Sequence, residues 1–221
     1  MNYLANFLTG LSLFFGFASI IFSLENHFTF ASWAIIVSVI FDGLDGQVAR
    51  KNPIPSEFGK QLDSLVDAVS FGIAPSLLGY IFVYRNFSSL ATIALFIYLV
   101  CSIVRLAKYN ITPGEKLVNY FYGLPTTVGG GIIASYILIY RKYARLPPHA
   151  IFLFIVLFLA FMMVSRVRYL NLDGLKQILG KKILPFLAVV LVVFAFLPEI
   201  SIFALFILYL TFSPFFVRKI V

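Results

Sequence analysis

The stretch Asp42-Gly43-Leu44-Asp45-Gly46-Gln47-Val48-Ala49-Arg50, followed eight residues later by Gly59-Lys60-Gln61-Leu62-Asp63-Ser64-Leu65-Val66-Asp67, decides how this chain is read. It holds four of the nine acidic residues in a chain of 221, of which 61% are hydrophobic and 12% charged. A soluble domain is roughly half apolar and about a quarter charged. A globule of this size cannot hide so much apolar surface, so the composition indicates a membrane protein. Carboxylates at membrane depth are expensive and need a partner or a purpose.

Outward from this stretch, apolar runs alternate with short polar pieces. A helix that crosses a bilayer takes about 20 apolar residues. Spans are expected at 4–24, 29–49, 60–84, 88–108, 123–140, 148–166, 183–197 and 200–217. Together they leave only short loops and no room for a soluble domain. The fold class is therefore all-α, a polytopic membrane helical bundle. The last two spans are short and meet at Pro198-Glu199, where they form two helices or one broken segment. The first span has neither a basic n-region nor a small-residue cleavage site and reads as a retained helix. The single Cys101 excludes a disulfide framework.

The net charge of +8 invites a nucleic-acid partner, but its distribution argues against one. With the N-terminus in the cytoplasm, thirteen of the 17 Lys and Arg fall on one side, and only Arg85, Arg141, Lys142 and Arg145 on the other. That asymmetry follows the positive-inside rule. Basic residues beside a bilayer also attract anionic headgroups. The expected partners are membrane lipids and not nucleic acid. Both termini and the acidic stretch are expected on the cytoplasmic side of a multi-pass integral membrane protein.

Asp42 and Asp45 stand at i, i+3, and Asp63 and Asp67 at i, i+4, so each pair shares one helix face. Pro53 and Pro55 break the helix between them and turn the chain back. Two antiparallel helices would then bring both pairs together. Four carboxylates in one pocket repel one another and require a counter-charge. All-oxygen ligands suit hard divalent cations such as Mg²⁺ or Mn²⁺, and no His or Cys lies nearby to suggest zinc. Gly43, Gly46 and Gly59 interrupt otherwise good helices, at about 1 kcal/mol each relative to Ala. With Ala49, Gly46 and Gly59 could leave a groove where a ligand approaches the backbone. They could equally serve close helix packing. Metal pairs bridged by carboxylates clamp phosphates for in-line displacement. An aspartate not spent on metal could accept a proton from an attacking hydroxyl.

Asp42, Asp45, Gly46, Ala49, Arg50, Gly59, Asp63 and Asp67 fill the pattern D-x2-D-G-x2-A-R-x8-G-x3-D-x3-D. On these positions the chain resembles the CDP-alcohol phosphotransferase family. The resemblance implies a six-helix core over 1–168. Beyond it, the residues themselves suggest an interfacial connector at 169–182 and a C-terminal transmembrane hairpin at 183–221, for eight helices in total. It implies a CDP-linked lipid donor, transfer of its phosphatidyl group to an alcohol, and release of CMP. Two divalent cations, Mg²⁺ or Mn²⁺, would be bound by Asp42, Asp45 and Asp63, with Asp67 as general base or additional ligand. Gly46, Ala49, Arg50 and Gly59 would line the CDP site. Asn6 and Thr9 match polar positions that the family often has near the donor headgroup. Family members are often homodimers, and the same is expected here.

The run Asp67-Ala68-Val69-Ser70-Phe71-Gly72-Ile73-Ala74-Pro75 is similar to the D-x-x-S-F-G-x-A-P run of membrane phosphatidylserine synthases within the family. Arg105-Leu106-Ala107-Lys108-Tyr109-Asn110, Tyr122-Gly123-Leu124-Pro125-Thr126 and Met163-Val164-Ser165-Arg166 resemble three further segments of that subfamily, with Lys108 in place of its usual Arg. Gln47 replaces a frequent Arg at a position the signature leaves free. These segments imply CDP-diacylglycerol as donor and L-serine as acceptor. Serine is a zwitterion whose carboxylate wants an Arg and whose ammonium wants an acceptor, for which Arg105 and Asn110 are the candidates. The paired H-x-K motifs of an unrelated kind of phosphatidylserine synthase are absent. Alternatives are a glycerol-phosphate or inositol-phosphate acceptor with a denser basic pocket, or an archaeal isoprenoid donor, as in archaetidylserine synthase. Outside the family, a cation transporter could use the carboxylates as a relay, but it leaves the spacing of Gly46, Ala49, Arg50 and Gly59 unexplained.

Overall fold

The computed structural model describes residues 3–50, 57–111, 120–143, 149–171, 174, 194 and 196–217. Helices α1 (Tyr3–Leu24) and α2 (Phe28–Arg50) form an antiparallel hairpin. The buried face of α1 is Ala5, Thr9, Ser12, Gly16, Ser19 and Ser23, while Phe7, Phe14 and Phe17 point outward. In water this pattern would be inverted. In lipid the apolar side chains gain nothing by turning inward, and small residues let backbones approach. The Ser12 and Ser38 hydroxyls lie 2.8 Å apart, and Ser38 Oγ also reaches the Ser12 carbonyl at 2.8 Å, stitching α1 to α2.

Helix α3 (Glu57–Asp67) runs through a π-helical turn (Ala68–Ile73) into α4 (Ala74–Ile111). Nineteen residues of straight helix would span about 28 Å, yet the Ser76 hydroxyl donates to the Leu95 carbonyl at 3.4 Å. The Tyr98 hydroxyl likewise reaches back to the Phe71 carbonyl at 3.0 Å. The stretches of α4 on either side of its middle therefore lie side by side, and they correspond to the spans expected at 60–84 and 88–108. A π turn adds one residue to a helical turn and frees carbonyls from the usual ladder. Tyr98 takes the Phe71 carbonyl, and Ser76 Oγ takes that of Gly72 at 2.7 Å.

Helix α5 (Thr126–Tyr143) is buried along Gly129 to Ile139 and occupies the middle of the bundle. Helix α6 (His149–Val164) packs on α4, and α7 (Pro198–Val217) on α5. Phe71, Leu78, Tyr98, Ile132, Ile137 and Phe152 form the centre of the core. Strands β1 (Tyr120–Tyr122) and β2 (Arg168–Leu170) pair antiparallel, with Phe121 opposite Tyr169. Three residues are too few for an alternating pattern to stand out in sequence, so this ribbon is an addition to the all-helical expectation. Helix α7 holds β2: the Leu170 N–H donates to Ser213 Oγ at 2.6 Å, and the Tyr209 hydroxyl donates to the Leu170 carbonyl at 2.8 Å.

Among the described residues, Tyr3–Leu24, Phe28–Ala49, Glu57–Tyr84, Ser89–Ile111 and Pro198–Val217 are long and apolar enough to cross a membrane. The chain is a polytopic helical integral membrane protein. Nearly all of the span expected at 183–197 and most of the connector at 169–182 lie outside the described residues.

Candidate active site

The last turns of α2 carry Asp42 and Asp45, and α3 carries Asp63 and Asp67. Carboxylate oxygens of Asp42, Asp63 and Asp67 all lie within 4.8 Å of one another. Asp45 stands beside this trio. It is 4% exposed, accepts from the Gly46 backbone N–H and has Thr9 within hydrogen-bonding reach. Thr9 sits on the buried face of α1, and its hydroxyl also lies 3.0 Å from the Ala5 carbonyl. Three elements thus hold the acidic cluster: α1 through Thr9, α2 through Asp42 and Asp45, and α3 through Asp63 and Asp67.

Two oxygens of this cluster, Asp45 Oδ2 and Asp67 Oδ1, are buried with no hydrogen-bond partner. A buried polar atom left unsatisfied costs about 1–3 kcal/mol, and more for a charged group. The fold alone does not satisfy the cluster. A hard divalent cation on an all-oxygen donor set would supply the missing interaction. Asp42, Asp63 and Asp67 are placed so that they can hold a metal ion.

The glycines on α2 divide the two explanations the sequence left open. A Cβ at Gly43 or Gly46 would meet nothing within 4 Å, so close helix packing does not account for either. The space beside Asp45 is open, as a groove for a ligand requires. Ala49 is exposed, Asn6 and Gly59 are half-buried, and Asn6 lies one turn before Thr9 on the same side of α1. Arg50 ends α2, and its side chain lies outside the described residues.

Next to the carboxylates lies a cleft of about 410 Å³ lined by Arg105, Lys108, Tyr109, Tyr122, Met163, Val164, Ser165 and Arg166. Arg105 belongs to both places: it lines this cleft and also interacts electrostatically with Asp42 and Asp67. Asn110 does not line the cleft. Its Nδ2 donates to Ser64 Oγ at 2.7 Å, and its backbone carbonyl accepts from Lys60 Nζ at 2.7 Å, so it clips the end of α4 to α3. Asn110 Oδ1 remains buried without a hydrogen-bond partner. The structure therefore puts Arg105 of the expected Arg105 and Asn110 pair in the cleft lining and Asn110 outside that lining.

Reasoning from residue types gave no role to Lys108, Tyr109, Tyr122, Ser165, Arg166 or Thr126. All six fall in the segments 105–110, 122–126 and 163–166, whose joint occurrence was the available signal. The fold brings these segments together through a latch. The Gly123 N–H donates to the Val167 carbonyl at 2.8 Å, and the Leu124 N–H to that of Met162 at 3.0 Å. Gly123 has φ +76°, and a Cβ there would strike the Met163 carbonyl oxygen, so no other residue fits this turn. Past the turn, Thr126 opens α5, and its hydroxyl lies 3.4 Å from Asp67 Oδ2.

The chain is similar to several known proteins. A CDP-diacylglycerol–serine O-phosphatidyltransferase of Helicobacter pylori (strain 26695) is 34% identical over 200 residues, covering 90% of this chain and 84% of that protein. A protein of the same name from Methanocaldococcus jannaschii is 37% identical over 136 residues, covering 61% of each chain. An archaetidylserine synthase of Methanothermobacter thermautotrophicus is 34% identical over 166 residues, covering 72% of this chain and 66% of that one. The family model described as CDP-alcohol phosphatidyltransferase matches residues 2–164, which hold all four aspartates, the cleft up to Val164 and the Gly123 turn. On that match the chain belongs to the CDP-alcohol phosphatidyltransferase family.

Proposed function

We propose that the chain transfers the phosphatidyl group of CDP-diacylglycerol to the hydroxyl of L-serine, giving phosphatidylserine and CMP. The observation that carries this reading is the position of Arg105, which belongs to both the carboxylate cluster and the adjoining cleft. A donor diphosphate on the aspartates and an acceptor in the cleft would meet beside this side chain. The names of the relatives support serine as that acceptor.

Asp42, Asp45 and Asp63, with Asp67 beside them, would hold two divalent cations, Mg²⁺ or Mn²⁺, which supply charge neutralisation for the diphosphate and for departing CMP. Gly46, Ala49, Arg50 and Gly59, with Asn6 and Thr9, form the candidate cradle for the CDP moiety. Arg105 takes the serine carboxylate. The buried Asn110 Oδ1 is the candidate acceptor for the ammonium, which would require the cleft to extend past Arg105. Asp67 Oδ1 accepts the serine hydroxyl proton as that oxygen attacks the phosphorus that bears the lipid. A serine O–P bond forms, and the bond from that phosphorus to the bridging oxygen breaks. CMP carries the bridging oxygen and its electron pair away. The charge asymmetry of the loops supports an active site and both termini in the cytoplasm. A homodimer is the assembly that the family resemblance supports.

One observation favours a second acceptor. The cleft holds Lys108 and Arg166 besides Arg105, a basic density that suits a phosphorylated alcohol. The two readings separate in a panel of radiolabelled serine, glycerol phosphate and inositol phosphate, each given to the purified protein with CDP-diacylglycerol. Label in phosphatidylserine alone is the expected outcome. Label carried by a phosphorylated alcohol would replace serine in the account. A CDP-archaeol arm of the same panel tests the donor chains.

A further inference from the structure

We infer that Thr126 is a positioning residue for Asp67, holding one carboxylate oxygen so that the other faces the acceptor hydroxyl. Most helix hydroxyls in this bundle bond back along their own helix: Thr9 to Ala5, Ser64 to Lys60, Ser76 to Gly72 and Ser135 to Gly131. That back-bond needs a helical carbonyl four residues earlier. Thr126 is the first residue of α5, four residues after strand residue Tyr122, and has no such carbonyl. Its hydroxyl, in a side chain 1% exposed, is left to point across the bundle at Asp67 Oδ2, 3.4 Å away. Among the described residues it has no other hydrogen-bond acceptor.

The placement is imposed from below. Leu124 is tied by its N–H to Met162 in the last turn of α6 and Gly123 to Val167 just beyond it, and the Gly129 N–H closes the first turn of α5 on the Pro125 carbonyl at 3.1 Å. The result distinguishes the two oxygens of Asp67. Oδ2 has the Thr126 hydroxyl as a donor, while Oδ1 is buried with no hydrogen-bond partner. A separation of 3.4 Å is long for a hydroxyl and a carboxylate. Hydrogen bonds at catalytic groups often tighten only when substrate is bound. The inference rests on the reading of Asp67 as the proton acceptor. Thr126 itself touches no reacting atom.

The test compares Thr126→Val and Thr126→Ser in the full-length protein, reconstituted in nanodiscs and assayed for CMP release at saturating divalent cation. Thr126→Val keeps the shape and removes the donor. Its kcat is expected to fall about 10-fold to 100-fold, the scale of a small misplacement at a reacting centre. KM for CDP-diacylglycerol stays within about two-fold, and Thr126→Ser, which keeps the hydroxyl, recovers most of the rate. Thr126→Ala carries the same comparison should valine disturb the packing. Thr126→Val with wild-type kcat overturns the inference, and so does Thr126→Ser as slow as Thr126→Val, which would mean that only the methyl matters. Asp67→Asn is measured alongside. Full turnover in Asp67→Asn removes the reading of Asp67 itself. Lost turnover in Asp67→Asn beside an unaffected Thr126→Val removes only the positioning role.

Discussion

Gly16→Ala adds one methyl group on the buried face of α1, and its effect should be felt at Asp67. A Cβ at Gly16 would lie 2.8 Å from both Cα and Cβ of Ser70. Contacts between carbon atoms are ordinarily about 3.4 Å or more, so α1 and the π turn must separate by roughly 0.6 Å. The Ser70 Cα is backbone, and no rotamer relieves the clash. The move also loosens the Ser70 hydroxyl from the Ser12 carbonyl, now 3.2 Å away. Overpacking of this kind costs about 1–3 kcal/mol, or about 2–12 °C in Tm for a chain of this length. Ser70 stands three residues after Asp67, with no flexible linker between them. A 1 Å misplacement of a reacting group can lower a rate about 100-fold, so half of that should lower CMP release about 10-fold. The control is Gly10→Ala, where a Cβ meets nothing within 4 Å and helix propensity favours Ala. Tm and the rate of CMP release are measured for both purified variants. Gly16→Ala with wild-type values of both, or a Gly10→Ala that loses as much as Gly16→Ala, would refute the packing argument.

Three further outcomes follow from single contacts. Asp67→Asn should abolish turnover while leaving CDP binding, read by equilibrium titration, within a few-fold of wild type, and a normal rate would remove Asp67 as the base. Tyr98→Phe deletes the donor to the Phe71 carbonyl inside the π turn. It should lower stability by about 0.5–1.5 kcal/mol, the net worth of one lost hydrogen bond, as thermal melting would report. Lys142→Ala removes the 2.8 Å ion pair with Glu199 that joins α5 to α7. Because Lys142 is half exposed and water screens the pair, Tm should fall only slightly, and a large fall would mean that the pair is shielded from water.

The fold was legible where a physical signal had length. Twenty-residue apolar runs announce spans, and carboxylates in such a chain announce a site, so the α1–α2 hairpin and the convergence of Asp42, Asp63 and Asp67 follow from the sequence. The π turn does not. Ala68 to Ile73 reads as ordinary helix, and two of its carbonyls are met by Tyr98 and Ser76, distant in sequence or one turn on. The ribbon of Tyr120–Tyr122 and Arg168–Leu170 was hidden for a related reason. Its stability comes from Ser213 and Tyr209 on a helix some 40 residues away. Asn110 shows the limit for sites. Its chemistry suits an ammonium, but residue type cannot reveal that its amide nitrogen is committed to Ser64. A threonine at the start of a helix has an ordinary role there, and only the tertiary fold shows Asp67 across from Thr126.

The central claim is that the aspartate cluster and the adjoining cleft together perform phosphatidyl transfer to serine. Its most direct test is CMP release by the purified protein from CDP-diacylglycerol, with and without L-serine and with and without added Mg²⁺ or Mn²⁺. The account predicts release that needs both serine and a divalent cation, one phosphatidylserine formed per CMP, and none from Asp67→Asn. Release that ignores serine, or divalent-cation flux across liposomes with no CMP at all, would contradict it.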